Sequence, residues 1–450
     1  MKEKTNLLYD THEKPPIGKW IILAIQHVFA MFGATILVPI LVNKMAGAEV
    51  LTIPVALVAS GIGTLIYILC TKGKSPVYLG SSFAYITPIA LAYSRGGVSG
   101  FATGIIGVGL VYLLFALLIK VFGKNWIDKL LPPIVVGPMI MIMGLSLASN
   151  AVGQIGLTET GFAWKSVVVA LISFIVTALT AVGAKGFLKV IPFLIGIGTG
   201  YLTSIALGIV DFQPVIDASF FEVPKFILPI RDYTFSLVGL LTIAPIALVT
   251  IAEHIGDHMA LSTIINKDLI KNPGLEKTLM GDGLATLAAG LIGGPANTTY
   301  GENTSVVGMT KVASVWVIGL AAIIAIIIGF IGKLSAIFST IPDPVLGGVS
   351  LLLYGFIAVN GLKLIVKNQI DFEDTRNVII ASTMLVLGLG GAIVTIGTGN
   401  ISVSLTGMSL AAIIGIILNL LLPKTKEKIE EQEKTKKIVK TKTVKKTKKA

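Results

Sequence analysis

Glu253 and Asp257 stand four residues apart inside an apolar stretch, and Glu302 lies in a later one. A spacing of four puts both side chains on one helix face. An ionised side chain at the centre of a membrane helix costs roughly 2.5–3.5 kcal/mol on insertion scales, so such groups are expected to face a cavity or a partner. Two close carboxylates resist joint ionisation, which leaves one of them able to hold and release a proton. His254 and His258 repeat the spacing on the neighbouring face. On this reading Glu253, Asp257 and Glu302 are the three acids outside the loops. The blander alternative is that they only tie helices together.

Two further stretches are too polar and too interrupted for a lipid-facing helix. One is Pro76-Val77-Tyr78-Leu79-Gly80-Ser81-Ser82, and the other runs from Gly293 through Pro295, Asn297 and Tyr300 to Asn303. Non-helical backbone is tolerated at membrane depth only when buried in protein or lining a cavity. The pattern predicts extended backbone leading into a half-helix, twice and from opposite sides. Each half-helix would aim free N–H groups and a positive dipole end at the midplane. The resulting site has amide donors from two backbones, carboxylate acceptors at Glu253 and Glu302, and a ring at Phe83. A planar ligand with alternating carbonyls and ring N–H groups suits it. An anion suits it less, because three acids and no basic residue line it.

The rest of the chain must hold these groups in a bilayer. Of 450 residues, 54% are hydrophobic and 13% charged, about half the charged share of a soluble protein. A crossing helix needs roughly 20 mostly apolar residues. Runs of that kind lie near 19–43, 50–70, 101–119, 131–148, 166–183, 187–209, 235–262, 312–331, 344–362, 377–396 and 403–422. With the interrupted stretches near 77–94, 278–293 and 295–311, they predict about fourteen crossings. If the N-terminus is cytoplasmic, this count puts eighteen basic residues inside and six outside before residue 424, as the positive-inside rule expects. The first run has no small-residue cleavage site after it, so a removable signal peptide is not expected. The net charge of +12 sits mostly in the tail of residues 424–450, with twelve lysines and four glutamates. That tail reads as a solvated, disordered end, with attraction to anionic lipid as the alternative. It gives no nucleic-acid-binding face. One cysteine and four histidines exclude disulfide scaffolds and make a metal cage or cofactor unexpected.

The chain also repeats itself weakly. Gly123-Lys124 precedes Leu131-Pro132-Pro133-Ile134-Val135-Val136-Gly137, and Gly332-Lys333 precedes Ile341-Pro342-Asp343-Pro344-Val345-Leu346-Gly347. Gln26-His27 has a counterpart in Glu253-His254, and the two interrupted segments match each other in order. About seven predicted crossings separate equivalent points. An odd number inverts the second copy, a plan common in secondary transporters. A membrane enzyme is disfavoured, because the acids form no nucleophile–base pair or metal-ligand set. A passive channel is disfavoured because the polar residues cluster at one depth rather than along a pore.

At these residues the sequence resembles the nucleobase–ascorbate transporters, and within them the bacterial uracil:proton symporters. The resembling stretches are QHVFAMFGATILVP (26–39), YLGSSFAYITP (78–88), AEHIGDH (252–258), NTTYGEN (297–303) and GGVSLLLYGFIAVNG (347–361). The resemblance covers nearly the whole chain except the tail. It implies an all-α polytopic membrane fold of fourteen segments in two inverted sevens, with short antiparallel strands in segments 3 and 10. A core domain is implied from residues 19–125 and 235–333, and a gate domain from 126–234 and 334–423. A cytoplasmic segment, 1–18, precedes them, and the tail is implied to be cytoplasmic too. Glu253 and Glu302 are implied to hydrogen-bond a uracil ring, and the main chain at Phe83 and Gly301 to meet its carbonyls. Phe83 and Tyr300 would pack nearby, with His27 close. The resemblance further implies uptake across a bacterial inner membrane, rocking of core against gate, and a homodimer through the gate domains. Xanthine or another purine, with a different coupling ion, is the competing cargo.

Two positions depart from the family pattern. Some proton-coupled members carry a histidine four residues after the first glutamate, where this chain has Asp257; Asp257 or the adjacent His258 would then carry the proton. The family signature has glycine where this chain has Ser305, which is expected to cap the half-helix or to narrow the site.

Overall fold

The computed structural model describes residues 7–158, 161–396, 403–405 and 407–423. The lysine-rich tail, Lys2, Lys4 and part of the predicted 377–396 to 403–422 connection lie outside them.

The chain opens with α1 (Ile17–Ala46) and α2 (Ile53–Cys70). Thr52 caps α2 by accepting from the Val55 amide, with Pro54 in the first turn, where a missing N–H costs nothing. Then come β1 (Leu79–Ser81), a 3-10 turn at Phe83–Tyr85, and α3 (Ile86–Phe122). The last is two arms, not one rod. Gly97 has φ 57° and ψ −146°, and Gly100 is pressed against the Ala92 carbonyl, so the chain doubles back there. Only glycine adopts such a backbone cheaply.

Short α4 (Asn125–Leu130), α5 (Pro133–Leu145) and α6 (Ala148–Ile155) follow, then β2 (Leu157–Thr158) and β3 (Gly161–Phe162). Next are α7 (Trp164–Gly183), α8 (Pro192–Ala206), α9 (Gln213–Asp217), α10 (Leu237–Ile243), α11 (Ala247–Ile265) and α12 (Leu275–Leu291). The second interrupted segment gives β4 (Asn297–Thr299) and α13 (Gly301–Thr310). The chain ends with α14 (Val315–Gly329), α15 (Gly332–Ser339), α16 (Asp343–Lys367), α17 (Thr375–Leu389), β5 (Val394–Ile396), β6 (Val403–Leu405) and α18 (Gly407–Leu421). Among the described residues, seven helical stretches are long and apolar enough to cross a membrane, and α8, α14, α17 and α18 are shorter apolar helices.

The helices pack in two groups. In one, α3 lies on α10 and α12, α2 on α12 and α14, and α1 on α14. In the other, α16 lies on α5, α6 and α7, α7 on α8, and α17 on α18 and α5. The described strands form three antiparallel pairs: β1 with β4, β2 with β3, and β5 with β6. The last two pairs were not expected from sequence.

Residues 7–16 form a strap over the first group. Leu8 donates to the Lys311 carbonyl, Ala313 donates to the Tyr9 carbonyl, and Trp316 Nε1 donates to the His12 carbonyl. Asp10 pairs with Lys267. Burial pushes the Asp10 carboxyl up, but the bonds from Lys267 and Thr11 outweigh it and hold the group below the usual carboxylate range.

Candidate functional site

The site is built on the β1–β4 pair. Leu79 faces Thr299, Gly80 faces Thr298 and Ser81 faces Asn297. The ladder continues at both ends, with Tyr300 N–H donating to Tyr78 O at 3.1 Å and Ser82 N–H donating to Ala296 O at 3.0 Å. A strand pair this short is not stable alone. Each strand is pinned from behind by one threonine. On α2, Thr64 Oγ1 donates to Leu79 O at 3.2 Å and accepts from Leu79 N–H at 2.9 Å. On α12, Thr286 does the same for Asn297, at 3.2 Å in both directions. In this way buried backbone groups that the two-stranded ladder leaves over are satisfied.

Gly80 leaves the room that the Tyr300 ring fills. The Tyr300 hydroxyl then donates to Ser81 O at 3.0 Å and accepts from Thr35 Oγ1 at 3.1 Å. This locks strand β1, strand β4 and helix α1 to one phenol. Directly after the strands, the turn at Phe83 and helix α13 begin without a side-chain cap. Their first-turn amides are the ordinary unsatisfied donors of a helix start.

A cavity of about 550 Å³ lies where these ends meet. That is within the range of small-molecule sites. Phe83, Glu253, Asp257, Thr298, Thr299, Tyr300, Gly301, Glu302 and Ser305 line one side. The other group of helices supplies Met143, Leu353, Phe356 and Ile357, and exposed Asn360, Lys363 and Lys189 continue the lining outward. Glu253 Oε2 and Thr298 Oγ1 are buried without a hydrogen-bond partner among the described residues. Asp257 accepts a bond from Thr299 Oγ1 at 2.6 Å.

Of the eight site residues named from sequence, six line this cavity: Phe83, Glu253, Asp257, Tyr300, Gly301 and Glu302. The other two are not among its lining residues. His27 sits one layer behind, where Asn303 Nδ2 donates to its carbonyl at 3.0 Å and lies 3.1 Å from its Nδ1. His258 is fully buried between the His254 carbonyl, 2.7 Å from Nδ1, and the Tyr67 hydroxyl, 2.5 Å from Nε2. Ser305 is not a cap. Tyr300 occupies the N-cap position, and Ser305 Oγ donates to the Gly301 carbonyl at 2.9 Å from inside the helix while lining the cavity.

One acid escaped the sequence reading. Asp282 is wholly buried in α12, with Oδ2 2.8 Å from His254 Nδ1. It is therefore a fourth acid outside the loops. Its signal was available, since it is the one charge between Lys277 and Glu302.

A bundle of apolar helices enclosing an acid-lined cavity between two broken segments defines a multi-pass membrane transporter. The permease family profile matches residues 18–397, and the chain belongs to that family, the nucleobase–ascorbate transporters that the motifs resemble. It is 49% identical over 433 residues to the uracil permease of Bacillus subtilis (strain 168), covering 95% of this chain and 97% of that one. It is 42% identical over 412 residues to the uracil permease of Escherichia coli (strain K12), covering 91% and 92%. The fold is shared with two solved structures. One is the transmembrane domain of a cyanobacterial bicarbonate transporter, with TM-score 0.59, 14% identity, and coverage of 93% of this chain and 100% of that one. The other is a murine anion transporter, Slc26a9, in its inward-facing state, with TM-score 0.67, 12% identity, and coverage of 91% and 68%.

Proposed function

We propose that this chain imports uracil by proton symport. The observation that carries the reading is the shared cavity. Glu253 and Glu302 supply two carboxylate acceptors there, and uncapped backbone at Phe83 and Gly301 supplies donors. A uracil ring offers the complement, two ring N–H donors alternating with two carbonyl acceptors. The names of the relatives, uracil permeases in both cases, favour this cargo over xanthine.

In the proposed cycle Asp257 and Glu253 carry the proton, and His27 holds Asn303 and thereby the start of α13. The group containing α1–α3 and α10–α14 serves as core, and the group containing α5–α8 and α16–α18 as gate. Counted as fourteen segments in two inverted sevens, with both termini in the bacterial cytoplasm, the chain places Lys189 and Lys363 on the inner face. The cavity reaches both lysines, which supports an inward-open conformation. A homodimer through the gate, in contact with lipid, completes the assembly.

The test is uptake of labelled uracil into proteoliposomes under an inward proton gradient, with xanthine and a protonophore as controls. Accumulation collapsed by the protonophore and untouched by xanthine is expected. Movement of xanthine without uracil would keep the site and replace the cargo. Uptake that ignores the proton gradient would remove the symport.

A further inference from the structure

Asp257 does more than line the cavity. Its Oδ2 accepts from Thr299 Oγ1, the side chain that ends strand β4. Thr299 is bonded to Tyr300, whose N–H closes the ladder on Tyr78 O, and Gly301 opens α13 one residue later. The carboxylate is therefore tied, through one hydroxyl, to the corner that sets the Gly301 amide and the Glu302 side chain. The neighbouring Thr298 Oγ1 has no such partner among the described residues.

The chemistry of the bond depends on the proton. An ionised carboxylate only accepts, so the Thr299 hydroxyl must donate to it. A protonated carboxyl can still accept through its carbonyl oxygen or donate to the threonine oxygen, but either bond is neutral and roughly half as strong as the charge-assisted one, so the tie from α11 to the end of β4 loosens. Within electrostatic reach of Asp257 are Glu253 on its own helix, Glu302 from α13 and Asp282 from α12, with Lys189 and Lys363 in the cavity lining. His254 and His258 occupy the far side of α11, bonded to Asp282 and to Tyr67.

We propose that Thr299 is a positioning residue that reports the proton on Asp257 to the β4–α13 corner, and so couples protonation to the geometry of the substrate amides. This rests on the uracil:proton reading of the site, and the test separates the two. Hydrogen–deuterium exchange of segment 297–303 is followed against pH in the full-length protein without uracil, corrected for intrinsic exchange. The wild type is expected to change its protection by about threefold or more as Asp257 titrates, with α18, which does not line the cavity, as an unchanging internal control. Asp257→Asn and Thr299→Val are each expected to fix protection at one value. Thr299→Ser keeps the hydroxyl and is expected to follow the wild type. The double variant should match Asp257→Asn alone.

In proteoliposomes, Thr299→Val should lower gradient-driven uracil accumulation about tenfold, the size of one hydrogen bond to a charged group, and Thr299→Ser should restore it. A Thr299→Val protein whose exchange tracks pH like the wild type overturns the proposal. So does a Thr299→Ser protein that behaves like Thr299→Val, since the methyl packing and not the hydroxyl would then matter. Wild-type protein that moves no uracil would sink the substrate reading, while the exchange experiment would still decide the role of Thr299.

Discussion

Glu253 and Glu302 share a cavity but not a setting. Glu302 stands in the first turn of α13, where the helix dipole favours a negative charge. Glu253 stands mid-helix on α11 with Oε2 unpartnered among the described residues, so a ligand N–H there replaces nothing already made. Glu302→Gln turns half of an acceptor into a donor. It is expected to weaken uracil binding by about tenfold or more, the size of one charge-assisted bond, and an unchanged dissociation constant by calorimetry would refute the assigned role. Asp257→Asn should instead spare binding more than accumulation. Normal pH-dependent accumulation in that variant would take Asp257 off the proton route. These three acids were legible in the sequence because a charge in an apolar run is costly and so demands a reason. Asp282 was just as costly but sat between Gly281 and Gly283 in a run of small residues, and its partner His254 comes from another helix. The same limit applies to His258, whose bond to Tyr67 spans 191 positions in the chain.

The strand-and-half-helix elements were legible because Gly, Pro and Asn interrupt otherwise apolar runs, and interruptions at membrane depth need a protein environment. Their register was not, since β1 and β4 lie more than two hundred residues apart and are each pinned by a threonine, Thr64 or Thr286, on yet other helices. The turn at Gly97 shows the same thing in reverse: two stretches read separately from sequence form one continuous element that doubles back. At the site a tight demand falls on Gly80, where any Cβ meets the Tyr300 ring and hydroxyl. The ring is itself held by Ser81 and Thr35, so it has little room to yield. Gly80→Ala is expected to destabilise the folded protein by about 1–3 kcal/mol, the usual range for overpacking a filled core. Because the clash is at the site, uracil affinity should fall as well. A variant with wild-type melting temperature and wild-type affinity would show that the β1–Tyr300 contact is not the site's frame.

Across the whole molecule, the two packed groups draw on interleaved stretches of chain, so the motif repeats hinted at a division that only tertiary packing displays. Helix α16 links its two ends. Its 25 residues span about 37 Å at 1.5 Å per residue. Near its C-terminal end, Asn360 and Lys363 line the cavity. At its N-terminal end, Asp343 pairs with Lys44 near the end of α1, and this joins one helix group to the other. In the proposed inward-open, alternating-access cycle, Lys44–Asp343 is an ion pair on the shut side. Its magnitude limits what it does. The side chains are 35% and 54% exposed, and exposed pairs contribute about 0.2–1 kcal/mol. The pair thus biases the inward-open state by roughly fivefold at most, too little to lock the carrier and enough to tune it. Lys44→Ala should therefore lower the labelling of a cysteine placed at Asn360, in a Cys70→Ser background, by a membrane-impermeant thiol reagent applied to the Lys363 face. The charge-swapped Lys44→Asp/Asp343→Lys protein should recover most of the loss. Half-molar salt should erase the difference between Lys44→Ala and its parent, because the Debye length then falls to about 4–5 Å. A difference that survives high salt would assign the effect to packing of the lysine stem, and no difference at any salt would remove the pair from the closure of that face.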